Sequence, residues 1–494
     1  MDIAFGLERS EDGFDDLLFF IWRKLLDCLD EFFYFTHTSF SFTLHFSIDY
    51  RSQQLALSTT ICLRLMFTVH MNILFLVPYT PTLIRTRPHN LVRGLSRRGH
   101  AVTLATLWEN EQERAALAEL EREGIRVLSA RLTKPRALWN MLRALPTTAP
   151  LQSAYCWQPE LARILSSNFQ LPTSKFDVVH VEHLRGARYA LQLLTSNLQL
   201  PVVWDSVDCI SHLFEQAARH SRSPFGRIVT RFELARTRRY EAMLANRFAR
   251  VLVTSPVDAA ALTALASRLT PHASRTADSA YAIRHTPSAI TVLPNGVDLK
   301  YFTPGTAPRD PDTIVFSGKL SYHANVTAAL HLVNDLMPRV WRERPNVRVN
   351  IVGHNPPRQL RDLITHHASG ITLLGSVPDI RPYLKQAGVA VAPMPYGAGI
   401  QNKVLEAMAC ATPVVATPQA VSAIQAIDGE HLLLGAPPAV FARQVLRLLE
   451  DANLRARVGA AGRRYAETHH DWNTIAKQLE EIYDHAVKQS RFTK

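Results

Sequence analysis

The regular alternation of apolar strands and helices along most of the chain is the feature that most limits its fold. A buried strand pattern, MNILFLVP, begins at Met71, a helical stretch follows at about 88–98, and AVTLATL at 101–107 reads as the next strand. The same pattern continues through FDVVHVE at 176–182 and PVVWDSV at 201–207. Strands that alternate with helices form crossover units around a parallel sheet, so an α/β fold is predicted.

A second set of strands follows a break. Residues 267–289 are rich in Ser, Thr, Ala and His with little periodicity, which indicates an inserted loop or linker. Beyond it the apolar strand patterns are DTIVFSG (312–318), VRVNIVG (347–353), ITLLG (371–375), VAVAPM (389–394) and PVVAT (413–417). The predicted organisation is therefore an extension (1–70), a first Rossmann-like domain (71–285), a second one (290–470) and a C-terminal helix that returns to the first (471–494).

The first 70 residues differ in composition from the rest. They hold 11 of the 22 Phe and none of the 29 Pro, and they carry ten acidic and five basic residues although the whole chain has a net charge of +12. We interpret them as a start site assigned too early or a poorly ordered extension. The alternative is an amphipathic membrane-associating segment around 17–35, whose acidic flank suits an anionic surface poorly. A chain that starts at Met71 is expected to keep its activity.

The charge and the cysteines limit the class of partner. The basic excess points to nucleic acid, an anionic membrane surface or phosphorylated substrates. No zinc-finger or RNP pattern is present, so nucleic acid is not expected. The five Cys residues lack C-x-x-C spacing, and no apolar run approaches the roughly 18 residues of a spanning helix. We therefore expect a cytoplasmic protein without a metal site, peripheral on the inner face of the membrane if it contacts lipid at all.

Segment 222–250 is the most basic stretch of the first half. It contains eight Arg and two Glu. As a helix it either flanks a binding site and touches anionic lipid headgroups or presents a solvated basic face.

The stretch 389–417 contains the residues best suited to bind a ligand. A strand ends at Pro393, and a loop with two glycines leads into a helix from about 400. Ligands in open α/β sheets bind at the carboxyl ends of strands, where free N–H groups of a helix N-terminus attract anions. Lys403 and Glu406 share one face of that helix. This pair suits a nucleotide, with Lys for phosphate and Glu for ribose hydroxyls; the alternative is an exposed ion pair.

Two further motifs precede it. PNGVD at 294–298 contains a turn signal and is followed by Phe302. The strand that ends at Gly318 is followed by Lys319. A cation at that end of a strand suits a phosphate, although a solvated Lys in a turn is the commoner case.

Taken in order, PNGVD, the G-K pair and LEAMA followed by PVVAT resemble the retaining glycosyltransferases of family 4, over about residues 71–490. GIQNKVLEAMA at 399–409 is similar to sugar transferases associated with exopolysaccharide genes. The resemblance implies a GT-B fold, in which two Rossmann-like domains face a cleft. It also implies transfer of a sugar, with retention at the anomeric carbon, from a UDP- or GDP-sugar to a sugar or lipid-linked acceptor. No cofactor and no metal are implied.

The resemblance also assigns donor-site roles. Glu406 matches the second Glu of the E-x7-E motif and binds the ribose, while Lys319, beside Gly318, holds the diphosphate together with Lys403. Val377 lies where the family approaches the nucleobase, and Ser255 ends the last strand of the first domain. The loop whose backbone meets the diphosphate or the sugar contains Gly399, Ile400, Gln401 and Asn402.

The chain departs from the family at three places. Ala398 stands where the first Glu of E-x7-E is expected, and Asn325 stands in the region of a second cation. The first loop, YTPTLIRTRPHN, has no Gly, although Arg85 and Arg87 are available for phosphate. These differences leave the donor sugar and the details of catalysis open.

The first domain is expected to hold the acceptor and any catalytic group. Many family members have a His after the strand at 201–207, whereas this chain has WDSVD. Asp205 and Asp208 are therefore the candidates, with helix capping or loop structure as the alternative. His180, near the end of strand 176–182, is a third candidate or a packed His.

The predicted activity is sugar transfer in exopolysaccharide or glycolipid biosynthesis. A nucleotide-sugar epimerase of the same fold and a catalytically silent partner in a polysaccharide assembly complex are the rivals. A dinucleotide-dependent oxidoreductase is disfavoured, because no G-x-G-x-x-G follows the strands at 72–77 or 312–318.

Overall fold

The computed structural model describes residues 44–50, 53–59, 70–83, 85–170, 176–195, 200–220, 224–269, 290–320, 322–366, 370–396 and 400–492. The chain divides into two compact units, Met1–Val69 and His70–Lys494. In the first unit, β1 (Leu44–Tyr50) pairs antiparallel with β2 (Gln53–Thr59). The predicted membrane-associating segment at 17–35 lies outside the described residues.

The second unit begins with a seven-stranded parallel sheet in the order β5-β4-β3-β6-β7-β8-β9. Strands such as β3 are apolar along their length because helices cover both faces of the sheet. The strands are β3 (Asn72–Val77), β4 (Ala101–Trp108), β5 (Arg126–Arg131), β6 (Val178–Glu182), β7 (Val202–Val207), β8 (Arg250–Val253) and β9 (Ile290–Val292).

Helices connect these strands, and local signals mark their ends. Asn110 caps one helix by accepting from the backbone N–H of Glu113, and glycines with positive φ, Gly99 and Gly124, follow the C-termini of two helices. The helices of this half are α1 (Thr86–Arg97), α2 (Glu111–Arg122), α3 (Lys134–Ala144), α4 (Leu151–Tyr155), α5 (Pro159–Gln170), α6 (His183–Thr195), α7 (Ile210–His220), α8 (Pro224–Ala245) and α9 (Pro256–Leu269).

A second parallel sheet has the order β12-β11-β10-β13-β14-β15. Its strands are β10 (Asp310–Ser317), β11 (Arg348–Val352), β12 (Ile371–Gly375), β13 (Ala387–Ala392), β14 (Val414–Ala416) and β15 (Leu433–Leu434). The helices are α10 (His323–His331), α11 (Met337–Glu343), α12 (Arg358–His366), α13 (Arg381–Gln386), α14 (Asn402–Ala409), α15 (Pro438–Glu450), α16 (Ala452–His469) and α17 (Trp472–Phe492). A π-helical turn (Leu332–Leu336) joins α10 to α11, and a 3-10 turn (Pro418–Val421) follows β14.

Three apolar cores hold this unit together. One lies in the second half and two lie on the opposite faces of the first sheet. Helix α17 contributes Ile475, Leu479 and Tyr483 to the core that also contains Ile73 and Phe75 of β3. The C-terminal helix therefore packs on the first sheet, far from it in sequence, which joins the two halves.

The division near residue 290 needs one correction. The sequence indicates that the strand at 250–255 is the last of the first half and that the second domain begins at 290. In the structure, β9 pairs in parallel with β8, with Val251 opposite Ile290, and so belongs to the first sheet. A three-residue strand after an irregular segment has too short a pattern to be recognised from the sequence.

Candidate functional site

The carboxyl end of β10 lies against the N-terminal end of α14. A Cβ on Gly318 would lie 3.1 Å from Cε of Lys403, and a Cβ on Gly353 would lie 1.9 Å from the carbonyl oxygen of Gly318. Only glycine at 353 permits this approach of the two strand ends. The backbone after β10 is thereby brought beside the helix that carries Lys403 and Glu406.

Asn325 organises the cations of this site. Its Oδ1 accepts from Nζ of Lys403 at 2.8 Å, and its Nδ2 donates to the carbonyl oxygen of Lys319 at 3.0 Å. The ammonium of Lys403 also donates to Oε1 of Gln401 at 3.2 Å. Asn325 is a neutral amide at a position where a second cation was expected. It connects the backbone of Lys319 to the ammonium of Lys403.

Burial changes the protonation of Lys403 and Glu406. It lowers the pKa of Lys403 to about 8, with a smaller opposing effect from Glu406. It raises the pKa of Glu406 to about 7, opposed by Lys403. No ion pair joins the two side chains within the described part of the chain, so the expectation of an exposed surface pair is wrong.

Lys319 remains available to a ligand. It is exposed, and among the described residues its ammonium has no hydrogen-bond or ion-pair partner. Ile400 is buried in the core of the second half, and Val377 packs against that core. Gly399 and Ala398 lie outside the described residues.

The N-termini of α1 and α14 meet across the two halves. Nδ2 of Asn402 donates to Oγ1 of Thr86 at 3.3 Å, and Oδ1 of Asn402 is buried with no partner among the described residues. Each residue is the first of its helix. Two helix N-termini directed at one region create a site with positive potential, which favours an anion.

Arg87 and Asp205 form a buried ion pair, which favours the structural alternative for Asp205. Nε of Arg87 donates to Oδ2 of Asp205 at 2.8 Å and Nη2 lies 2.7 Å from the same oxygen, while Oδ1 accepts from the N–H of Val207. Nη1 of Arg87 donates to the carbonyl oxygens of Leu293 and Pro294. Both charged side chains are buried, so neither Arg87 for phosphate nor Asp205 for catalysis is available to a substrate.

The PNG turn (294–296) supplies further hydrogen-bond acceptors to Arg87. Oδ1 of Asn295 accepts from Arg87 at 2.9 Å, and its carbonyl oxygen lies 2.7 Å from Nδ1 of His470. A Cβ on Gly296 would lie 2.6 Å from the ring of Trp472. The motif thus joins the first sheet to the start of α17, a role that a turn signal alone does not reveal.

His180 is a packed histidine. Its ring is fully buried, stacks on Phe75 with centroids 4.0 Å apart, and its Nδ1 lies 2.8 Å from the hydroxyl of Tyr483. Burial, followed by the charge of Arg87, lowers its pKa well below the usual value, so the ring is neutral. Of the two interpretations of His180, its position inside β6, beneath α17, favours the packed one.

Asp208 differs from the other two candidates in position. It is half-buried just beyond β7, and its Oδ1 accepts from Oγ1 of Thr254 at 3.2 Å. Burial and then the charge of Asp258 raise its pKa to about 7. The charge of Asp208 also contributes, after burial, to the raised pKa of Tyr322 in the second half.

Ser255 is engaged in a helix cap. Its Oγ donates to Oδ2 of Asp258 at 2.5 Å and accepts from the N–H of the same residue at 3.1 Å. The side chain is buried immediately before α9. Its hydroxyl therefore stabilises the N-terminus of that helix.

Glu182 is a buried carboxylate that the sequence did not single out. It is the last residue of β6, directly opposite Asp205 of β7. Its Oε1 accepts from the hydroxyl of Tyr79 at 2.6 Å, whereas Oε2 is buried with no partner among the described residues. Burial, then repulsion from Asp205, raises its pKa to about 8. The signal was a carboxylate that ends an otherwise apolar strand.

Two family models match this chain. The glycosyl transferase 4-like domain matches residues 84–273, and the glycosyl transferases group 1 model matches residues 311–451. Together they cover about two thirds of the chain and divide it between the two sheets. The chain belongs to the group 1 glycosyltransferases of family 4. Its two parallel sheets form the GT-B fold.

The names of several curated relatives of this chain refer to inositol compounds. The phosphatidyl-myo-inositol mannosyltransferase of Mycobacterium tuberculosis is 32% identical over 204 residues, which are 39% of this chain and 53% of that protein. The D-inositol 3-phosphate glycosyltransferase of Salinispora arenicola is 28% identical over 228 residues, 41% of this chain and 50% of that protein. The chain spans about half the length of the curated relatives it matches.

Solved structures share the fold of this glycosyltransferase at low sequence identity. The sucrose-phosphate synthase of Thermosynechococcus elongatus superimposes with a TM-score of 0.59 at 16% identity, covering 84% of this chain and 99% of that one. HepE of Anabaena, in complex with UDP-glucose, superimposes with a TM-score of 0.54 at 18% identity, covering 84% and 100%.

No group of three or more His, Cys, Asp or Glu side chains within the part of the chain that the structure describes is placed to hold a metal ion. None of the helices described there combines the length and the apolar character needed to cross a bilayer.

Proposed function

We propose that this glycosyltransferase moves a hexosyl group from a nucleotide-sugar to an acceptor hydroxyl, with retention at the anomeric carbon, in glycolipid or exopolysaccharide biosynthesis. The observation that carries the proposal is the arrangement of Lys319, Asn325 and Lys403 between β10 and α14, with Glu406 one turn along that helix. Two cations beside a helix N-terminus suit a diphosphate, and a carboxylate suits two ribose hydroxyls.

The departing diphosphate is the group this site is proposed to stabilise. Charge grows on the leaving phosphate as the glycosidic bond breaks, and preorganised cations and N–H groups stabilise that charge without reorganising. Lys403 is held in place by Asn325 and Gln401 before any ligand binds. Lys319 is exposed just after the carboxyl end of β10. The proposal uses no metal, so transfer is expected to persist in EDTA.

The acceptor is proposed to bind between the sheets, at the carboxyl ends of β6 and β7. Asp208 is the predicted catalytic candidate that reaches this region, and Glu182 lies at the end of the neighbouring strand. Named relatives that are phosphatidyl-inositol mannosyltransferases support a lipid-linked acceptor, and the UDP-glucose complex of HepE supports a nucleotide-sugar donor.

Donor binding is the first test. A panel of UDP-, GDP- and ADP-sugars is screened by thermal shift and measured by calorimetry with the wild type and Glu406→Gln. A hydrogen bond to a charged group contributes about 1.5–3 kcal/mol, so the variant should bind the preferred donor about tenfold or more weakly. Glu467→Gln, an exposed carboxylate on α16, is the matched control and should bind as the wild type does. Equal affinity of Glu406→Gln for every nucleotide would contradict the assignment.

Product analysis separates the proposal from its rivals. A transferase converts the donor to a glycosylated acceptor of retained configuration, whereas an epimerase changes the donor sugar with no acceptor present. A catalytically silent partner binds the donor and forms no product with any acceptor. Either of the latter two results would overturn the proposed reaction while leaving the donor site intact.

A further inference from the structure

Helix α3 has its amphipathic pattern reversed. It buries a face of small or polar side chains, Ala137, Asn140 and Ala144. Nδ2 of Asn140 donates to the carbonyl oxygens of Tyr155 at 3.3 Å and Trp157 at 2.7 Å, which fixes that face against the protein. A surface helix normally buries its large apolar residues, so the opposite face needs an explanation.

The outward face of α3 carries large apolar side chains. Leu138, Trp139 and Leu142 are 54%, 55% and 50% exposed, and Leu145, directly after the helix, is 47% exposed. At 100° per residue these four side chains form one continuous stripe. Single exposed apolar residues are ordinary, but a contiguous patch of this kind marks an interaction surface.

A side chain from another helix extends the stripe. Phe232 of α8 is 46% exposed, and the guanidinium of Arg236 lies 4.1 Å from the centre of its ring. Arg236 also donates to the carbonyl oxygens of Ala144 and Leu145 at the end of α3. Arg236 therefore holds the two helices together and keeps Phe232 beside the stripe.

The charged residues of the segment that contains α3 are all basic, and the acid next to Phe232, Glu233, is buried and lies 3.9 Å from Nη1 of Arg236. Lys134 and Arg143 are exposed and border the stripe on opposite sides of the helix. From residue 124 to residue 159 the sequence contains five basic residues and no Asp or Glu. An acidic residue would be repelled by an anionic surface, whereas an apolar face with basic margins is complementary to anionic lipid headgroups above an acyl layer.

We propose that the outward face of α3, with Phe232, docks this enzyme on an anionic lipid surface. The predicted lipid contact lay on the basic segment at 222–250; the structure places the apolar part of the surface on α3 and only its margin on α8. The docking surface is separate from the donor site and requires no ligand there, so it goes beyond the proposed function and is tested without donor or acceptor.

Co-flotation of the full chain with vesicles is the test. The wild type should float with vesicles of phosphatidylcholine and phosphatidylglycerol in equal parts, should not float with phosphatidylcholine alone, and should be released by salt. Replacing Lys134 and Arg143 together by Gln removes two charges, each of which changes binding about fivefold, so the affinity should fall more than tenfold. Leu138→Ser combined with Leu142→Ser should also weaken binding about tenfold or more.

Matched controls and a local probe sharpen the result. Ile427→Ser removes an apolar side chain that is 55% exposed in the second half, and Arg358→Gln removes an exposed cation there; both should float as the wild type does. Anionic vesicles should shift the wild-type tryptophan emission to shorter wavelength, and Trp139→Phe should lose that shift. All these positions are exposed, so unchanged thermal unfolding is expected and excludes misfolding.

Three results would overturn the proposal. The first is a wild type that does not float with anionic vesicles, and the second is a set of α3 variants that float as well as the wild type does. Alternatively, sedimentation could reveal a concentration-dependent dimer that Leu138→Ser with Leu142→Ser abolishes while flotation is unchanged. That last outcome would assign the stripe to contact between copies of the chain.

Discussion

Replacing Arg87 by Met tests whether Asp205 stabilises the fold through its buried ion pair with Arg87 rather than acting in catalysis. The guanidinium side chain is 4% exposed and its partner carboxylate 0% exposed. Arg87 also donates to two acceptors in the PNG turn and to the carbonyl oxygen of Leu293 just before it. Met fills a similar volume but leaves a buried carboxylate without its cation. Breaking a buried ion pair by removing one partner costs about 3–5 kcal/mol, so Arg87→Met should lower the free energy of unfolding by that amount.

Urea unfolding followed by tryptophan fluorescence measures the change. The control is Arg85→Met, two residues earlier, whose cation pairs with Glu113 at 3.1 Å and is 36% exposed; an exposed pair contributes at most about 1 kcal/mol. Asp205→Asn combined with Arg87→Met removes the unpaired charge and should recover part of the loss. Equal costs for Arg87→Met and Arg85→Met, or no recovery in the double variant, would refute the reasoning.

The pH dependence of Arg87→Met gives an independent check. Without its cation, buried Asp205 has a folded-state pKa above the unfolded value of about 3.9. A raised pKa contributes stability below the unfolded pKa that is lost as pH rises through the folded pKa. The variant should therefore lose stability relative to the wild type as pH increases from acid to neutral, and a constant difference would show that the charge of Asp205 is not the cause.

Three other outcomes are expected. Donor affinity measured by calorimetry should pass through a maximum, because Glu406 gains a proton below about pH 7 and Lys403 loses one above about pH 8; a flat profile would exclude both as ligands. Gly353→Ala places a Cβ 1.9 Å from the carbonyl oxygen after the neighbouring strand, so donor affinity should fall more than tenfold and stability by about 1–3 kcal/mol. Tyr483→Phe removes the hydroxyl contact of buried His180 and should cost about 1 kcal/mol of stability with turnover unchanged, whereas a large loss of turnover would restore a catalytic role for that His.

The proposed donor half of the site is largely readable from the sequence because its residues lie close together along the chain. Lys403 and Glu406 lie on one turn of α14, and Lys319 follows directly after β10. Their helix and strand periodicities place them at the carboxyl end of a parallel sheet without any tertiary information. The role of Asn325 was open, because its link between the two lysines depends on a contact 78 residues distant.

The proposed acceptor half was harder to predict, because burial, which the sequence does not show, distinguishes its candidate residues. Asp205, Asp208 and His180 look alike as polar residues at the ends of apolar strands. In the structure Asp205 and His180 are fully buried, whereas Asp208 is half-buried beyond the strand. Glu182 occupies an equivalent strand end and carried no recognisable motif.

The sequence by itself determined the alternation of strands and helices, the two-sheet α/β architecture and the family, because periodicity and short motifs depend on neighbouring residues. Only the tertiary structure decided which charged residues are buried partners and which face a ligand. The partners of Arg87 lie 118 and 206 residues away, and those of Tyr483 lie 303 residues away. Contacts over such separations arise from packing of the whole unit, in which β9, the PNG turn and α17 come together, and no local pattern encodes them.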